Sequence, residues 1–310
     1  MNDPSKPPSE DPLRGIVLSL GAIVLFSVGD TIAKLLSTQL PIVEIAWMRY
    51  VIFVGFAAGL AWRASSRDKT RLLAVKSPAM QIARGLFLVV CGLLFVLGVR
   101  EMPMAEATAI SFVSPLMITM LSIPFLGEVV GLRRWAAVVV GLIGVLVVVR
   151  PGTGGFQPAA VFGVASAFCW SMALVITRKM STTERPATTL LWSSGIGLIV
   201  LSVLLPFNYA WPTPAQFGLT LVLGGVASAG QWMVVLAHRQ APASVLAPFS
   251  YVQLLWSIIA GYLVFAAVPD RWTLLGAAII IASGLYTAHR ERVRAAAKRR
   301  QITPVIDDAG

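Results

Sequence analysis

Polar positions are sparse along the chain and return at near-regular intervals. Between them run ten apolar stretches, approximately 15–37, 42–63, 79–99, 104–126, 132–150, 158–179, 187–207, 215–238, 242–266 and 269–289. A hydrocarbon core of about 30 Å needs roughly 20 apolar residues per helix, and each stretch approaches or exceeds that length. Strand-like alternation is absent, which argues against a barrel. The pattern predicts an all-α membrane protein of ten transmembrane helices, with short loops and no room for a separate soluble domain.

Composition agrees. The 310 residues are 57% hydrophobic and only 13% charged, with a mean hydropathy of +0.79. A soluble domain carries about a quarter charged residues. The two cysteines, Cys91 and Cys169, sit in apolar stretches and read as small core residues. The first apolar stretch is longer than a signal-peptide core and no Ala-x-Ala-like site follows it, so it is expected to be a retained first helix.

The net charge of +11 could point to nucleic acid. Its placement points elsewhere. With the N-terminus on the cytoplasmic side, nineteen lysines and arginines fall in cytoplasmic segments: residues 6, 14, 63, 67, 69, 71, 76, 133, 134, 178, 179, 185, 239, 290, 292, 294, 298, 299 and 300. Only three, Arg100, Arg150 and Arg271, fall outside. That asymmetry predicts both termini on the cytoplasmic side; a bacterial inner membrane is the expected location. The C-terminal basic cluster is then expected to touch anionic lipid. No nucleic-acid partner is expected, and the sequence leaves a homodimer open.

The two halves of the chain echo each other at an offset near 140 residues. Leu25-Phe26-Ser27 with Lys34 matches Cys169-Trp170-Ser171 with Arg178, and Trp47 matches Trp192. Gly85 to Arg100 matches Gly224 to Arg239, Met102-Pro103 matches Ala241-Pro242, and Arg134-Trp135 matches Arg271-Trp272. Each half holds five spans, an odd number, so the second should lie inverted. The expected division is a cytoplasmic tail at 1–14, a first repeat of helices 1–5 at 15–150, a second of helices 6–10 at 158–289, and a basic cytoplasmic tail at 290–310. Inverted repeats characterise secondary transporters, whose substrate sites lie near midplane where the repeats meet.

Across both halves the chain resembles the drug/metabolite transporter superfamily, EamA type. The resemblance rests on Lys34 late in the first helix, Arg49 in the second and Arg84-Gly85 opening the third. It rests also on Ser114-Pro115 in the fourth, Gly127-Glu128 after it, and Gly141-x-x-Gly144 in the fifth. The second half departs at Ala266-Ala267, where Gly127-Glu128 would recur. The resemblance implies carriers of amino acids, vitamins, nucleotide-like compounds or metallophores. The Asp30-x-x-x-Lys34 and Arg49 pattern looks like the branch of riboflavin and S-adenosylmethionine uptake proteins.

Chemistry concentrates in the first hairpin, where Asp30, Lys34, Glu44 and Arg49 interrupt two apolar helices. Charge at membrane depth is costly and usually paired or functional. By distance from the turn, Lys34 and Glu44 match in depth, as do Asp30 and Arg49 about two turns deep. Two readings stand: a self-neutralising clasp, or a polar patch where Arg49 or Lys34 holds a carboxylate and Asp30 takes a proton or cation. Leu174 and Ser194 stand at the second-half equivalents of Asp30 and Arg49, which favours a specific role for the deeper pair. Glu44 then reads as the counter-charge of Lys34.

Arg84 reads as a residue that snorkels to the cytoplasmic interface. Glu106 reads as a surface partner of Arg100 and Glu101, and Glu128 as a loop latch to Arg133 or Arg134. Trp47, Phe112, Trp170, Trp192 and Tyr251 lie away from span ends, with Ser114, Gln231 and Gln253 as nearby polar groups. Together they suit an apolar cavity for an organic cargo. Pro115 and Pro248 are plausible bending points.

The expected function is secondary transport of a small organic metabolite by alternating access. The cargo would be vitamin-like, such as riboflavin, or amino-acid-like; the alternative is efflux of amino acids, metallophores or drugs. No nucleotide-binding loop, cofactor signature or metal cluster is present in the sequence. The only histidines, His238 and His289, lie at span ends, which disfavours an intramembrane enzyme. A channel is the remaining rival.

Overall fold

The computed structural model describes residues 12–64, 74–127, 132–150, 157–180, 183–207, 209–240, 246, 249 and 251–302. Among them every regular element is helical. The elements are α1 (Pro12–Ser37), α2 (Ile42–Ala64), α3 (Pro78–Glu101), α4 (Met104–Ser111), α5 (Ser114–Leu126) and α6 (Leu132–Val149) in the first half. The second half holds α7 (Ala160–Met180), α8 (Pro186–Leu204), α9 (Pro214–Gln240), α10 (Val252–Phe265) and α11 (Arg271–Ile302). Seven helical segments are long and apolar enough to cross a membrane, counting Met104–Leu126 as one. Shorter apolar stretches occupy Val139–Val149, Val252–Phe265 and Arg271–Tyr286. Glu128 and Pro248 lie outside the described residues.

Two features differ from the sequence expectation. The last helix continues to Ile302, past the predicted end at 289. The fourth span is broken at Phe112-Val113. Pro115 explains the break: it has no N–H to offer the Ser111 carbonyl, and its ring would crowd that oxygen in a continuous helix. The Ser114 hydroxyl donates to the Ser111 carbonyl instead, at 2.7 Å. Phe112 at this break packs on Tyr251, which immediately precedes α10; the ring centroids are 5.0 Å apart. The two residues are 139 positions apart, close to the offset near 140 at which the sequence motifs recur.

Helix ends follow local chemistry. Proline opens α3 and α8, where a missing N–H costs nothing. Gly127 closes α5 at φ 68°, the left-handed cap that glycine adopts freely. Its counterpart Ala266 closes α10 at φ 52°, where a Cβ is strained. Ala266→Gly is therefore expected to stabilise the protein by about 0.5 kcal/mol, strain relief being partly offset by a more flexible unfolded chain. Thermal unfolding in detergent measures it.

The first two helices are neighbours in sequence, yet each finds its main partner in the other half. α1 packs chiefly on α9, and α2 on α8 and α9. Exchanging the halves reproduces the pattern: α3 packs on α7 and on α8, while α1 meets α10 as α5 meets α7. α6 and α11 cross closely through Gly144 and Gly276, where a Cβ on either would come within 2.9 Å and 2.6 Å of the other's carbonyl oxygen. The largest apolar cluster joins Ile110, Val113, Leu116, Val145, Leu254 and Ile280. It draws on α3 to α7, α10 and α11 with no residue of α2, which instead lines a cavity.

Candidate functional site

That cavity, about 270 Å³, lies between the first three helices of each half. From α1 come Phe26, Gly29, Asp30 and Ala33; from α2 come Arg49, Tyr50 and Phe53. α3 contributes Arg84, Leu88, Cys91 and Phe95, a spacing of four, seven and eleven residues that forms one helix face. Opposite stand Trp170, Leu174 and Thr177 of α7, Ser193 of α8, and Ser228 and Gln231 of α9. The wall is mostly apolar and aromatic, with few polar groups, as small-molecule sites are.

Three formal charges face this space. Asp30 accepts a hydrogen bond from the Gln253 side-chain nitrogen at 3.2 Å, which ties α1 to α10. Arg49 lies against α3, its guanidinium over Gly92, where a Cβ would sit 2.7 Å from a terminal nitrogen. The Tyr50 ring centroid is 5.7 Å from that guanidinium. Arg84 donates to the Thr177 hydroxyl at 2.6 Å, to the Ser193 hydroxyl and to the Thr189 carbonyl at 3.5 Å. Among the described residues no ion pair joins Asp30 to Arg49 or Arg84.

Arg84 corrects the snorkelling expectation. It is 7% exposed and reaches across into the second half rather than out to the interface. The fork of a guanidinium suits this, since α7 and α8 offer three acceptors within its span. Helical periodicity carried the missing signal: Arg84 shares a face with Leu88, Cys91 and Phe95. Tyr50, Phe53, Thr177 and Ser193 also line the cavity without having stood out in the sequence.

The shallower hairpin pair does not form. Lys34 Nζ donates to the Val99 and Met102 carbonyls, each at 2.5 Å, and lies 5.2 Å from the Phe265 ring centroid. Glu44 is fully buried and accepts from the Ala210 backbone N–H at 3.0 Å. Packing explains the separation, since α1 presents Lys34 to the end of α3 while α2 presents Glu44 to the segment before α9. Glu106 makes no ion pair among the described residues, while Arg100 pairs with its neighbour Glu101 at 3.5 Å.

Of the remaining candidates, Trp170 and Gln231 line the cavity. Gln253 reaches it through Asp30. Trp47 turns away to bond the Ser202 hydroxyl at 2.8 Å, and Trp192 is not among the lining residues. Phe112 and Tyr251 pack on each other at the helix breaks. Ser114 is buried and accepts at its carbonyl from the Ser171 hydroxyl at 3.1 Å.

A cavity of this kind in a multi-helix membrane protein fits a carrier of small solutes. The chain belongs to the EamA-like transporter family, whose model matches residues 13–150 and again 157–287. An S-adenosylmethionine uptake transporter of Rickettsia felis is 32% identical over 286 residues, covering 90% of this chain and 94% of its own. A riboflavin transporter of Rhizobium johnstonii is 28% identical over 297 residues, covering 92% and 95%. A pseudopaline exporter of Pseudomonas aeruginosa is 26% identical over 272 residues, covering 86% and 93%. A crystal structure with a TM-score of 0.61 at 21% identity covers 90% of this chain and 98% of its own, and so shares the fold.

Proposed function

We propose that this bacterial multi-pass membrane protein is a secondary transporter that moves a small organic metabolite through the cavity by alternating access. Its cargo is vitamin-like or amino-acid-like, in the range spanned by S-adenosylmethionine and riboflavin. The observation that carries this reading is the cavity itself: three charges without mutual ion pairs, ringed by aromatic side chains, at the meeting of the two halves. Import accords with the uptake relatives. The exporter relative keeps efflux as the second reading.

The architecture behind it is two inverted five-helix repeats, 15–150 and 158–289, with both termini cytoplasmic. Three observations support this: the exchanged packing partners, the Phe112–Tyr251 contact between equivalent positions, and the two separate family matches. The polar links at the two ends support it as well. At one end Glu44 of the first half accepts from Ala210 N, and Gln216 of the second half donates to Gln39 at 3.0 Å. At the other, Glu184 of the second half accepts from Lys76 N and Ser77 N of the first, at 2.7 and 3.0 Å. Each is a glutamate near the start of one half's second helix, bonded to backbone just before the other half's third helix. Breaking these links in turn would open the cavity to one side and then the other.

Proteoliposomes carrying the full chain test the function. Labelled S-adenosylmethionine, riboflavin and amino acids are screened for saturable uptake and for counterflow against the same unlabelled solute. Counterflow for at least one of them is the expected result. Its absence for every organic solute would overturn the carrier reading, and non-saturable flux would favour a channel.

A further inference from the structure

We propose that the cavity is a seat for an organic oxyanion, a carboxylate or phosphate on a planar aromatic body, held between the Arg49 and Arg84 guanidiniums. The inference rests on the cavity being the cargo site. Its observation is Arg49, which makes no hydrogen bond and no ion pair with any described residue. A guanidinium carries five N–H donors and cannot shed its charge. At membrane depth such a group is rare without a partner. Its guanidinium stands against Gly92 and the Tyr50 ring, and neither accepts a strong hydrogen bond.

Arg84 adds the second cation. Thr177, Ser193 and the Thr189 carbonyl fix its orientation, but all three are neutral and leave its charge uncompensated. Asp30 supplies one negative charge, occupied in part by Gln253. The ledger of the cavity is two positive groups and one negative. A bound oxyanion neutralises the excess and accepts the idle donors of Arg49 in the bidentate geometry that guanidinium favours. Phe26, Phe53, Phe95 and Trp170 leave the rest of the space for an apolar, planar body, which disfavours a bare inorganic anion. Asp30 then faces any cationic group the same molecule carries.

Competition in the counterflow assay tests the seat with matched probes: nicotinate against nicotinamide, indole-3-acetate against indole-3-acetamide, and riboflavin 5′-phosphate against riboflavin. The anionic member of a competing pair is expected to inhibit at about tenfold lower concentration, the scale of one charge-assisted hydrogen-bond pair. Arg49→Gln, which removes no protein hydrogen bond, should erase that preference while leaving the protein folded. Arg84→Lys, which keeps the charge but not the fork, should weaken it; Asp30→Asn should keep it. Neutral members competing as well as anionic ones, or a preference that survives Arg49→Gln, would overturn the seat. So would a cargo that shows counterflow while no probe competes with it. Those outcomes leave the carrier reading standing, whereas loss of all counterflow in the parent protein removes both.

Discussion

Exchanging the deeper hairpin charges, Asp30→Arg together with Arg49→Asp, is expected to leave the protein folded and to lower counterflow to about 1% of the parent rate or less. Were the two groups a clasp, the exchange would rebuild the same ion pair with its ends reversed. The structure gives no such pair. Asp30 accepts from Gln253 on α10, and Arg49 lies over Gly92 on α3. Each charge is matched to a different surrounding, so reversal leaves an arginine against the amide that served Asp30 and an aspartate beside the Tyr50 ring. Two charge-assisted interactions with cargo, at about 1.5–3 kcal/mol each, correspond to a loss of a hundredfold or more. The measurement is the initial counterflow rate at solute well below the parent's half-saturation, where lost binding lowers the rate directly, with folding checked by size-exclusion profile and thermal unfolding. Counterflow retained at the parent rate would return the pair to a purely structural role.

Lys34→Met is expected to do the opposite, costing stability and sparing cargo affinity. Lys34 stands in the same hairpin and shared the sequence signal, but its ammonium bonds two carbonyls at the end of α3. The last carbonyls of a helix have no partner within the helix, and a lysine there satisfies them and complements the negative end of the helix dipole. Methionine keeps the length of the apolar stem but offers no donor. The loss should be about 2–3 kcal/mol, from hydrogen bonds to a charged group whose acceptors are then left unmatched. Thermal unfolding reads the stability, and the apparent KM for counterflow should change less than about twofold, the size of a few tenths of a kcal/mol. A tenfold rise in KM with unchanged stability would place Lys34 in the cargo site instead.

The hairpin illustrates how far sequence reaches. Depth from the turn ranked Asp30 and Arg49 as equals, and both face the cavity. The same reasoning paired Lys34 with Glu44, and that pairing does not exist. Depth counts along a helix and is preserved by folding. The direction a side chain faces depends on which helix packs alongside. Here α1 and α2 turn from each other to partners in the second half, so a pairing inferred within the hairpin had no means of seeing them. Arg84 failed for the same reason in reverse. Its distance from the helix end suggested the interface, while acceptors some 100 residues away on α7 and α8 draw it inward.

By itself the sequence determined the helical class, the approximate spans, the charge asymmetry of the loops and the motifs that recur at an offset near 140 residues. These follow from local quantities: hydropathy over about 20 residues, loop charge, and a repeated offset. Tertiary structure alone decided which charges share the cavity, that Arg84 is one of them, that Arg49 makes no hydrogen bond or ion pair among the described residues, and that Lys34 caps a helix. It also broke the fourth span at Phe112 and set that ring on its equivalent, Tyr251. All of these depend on contacts between residues distant in the chain, which no local pattern of hydrophobic and polar positions encodes.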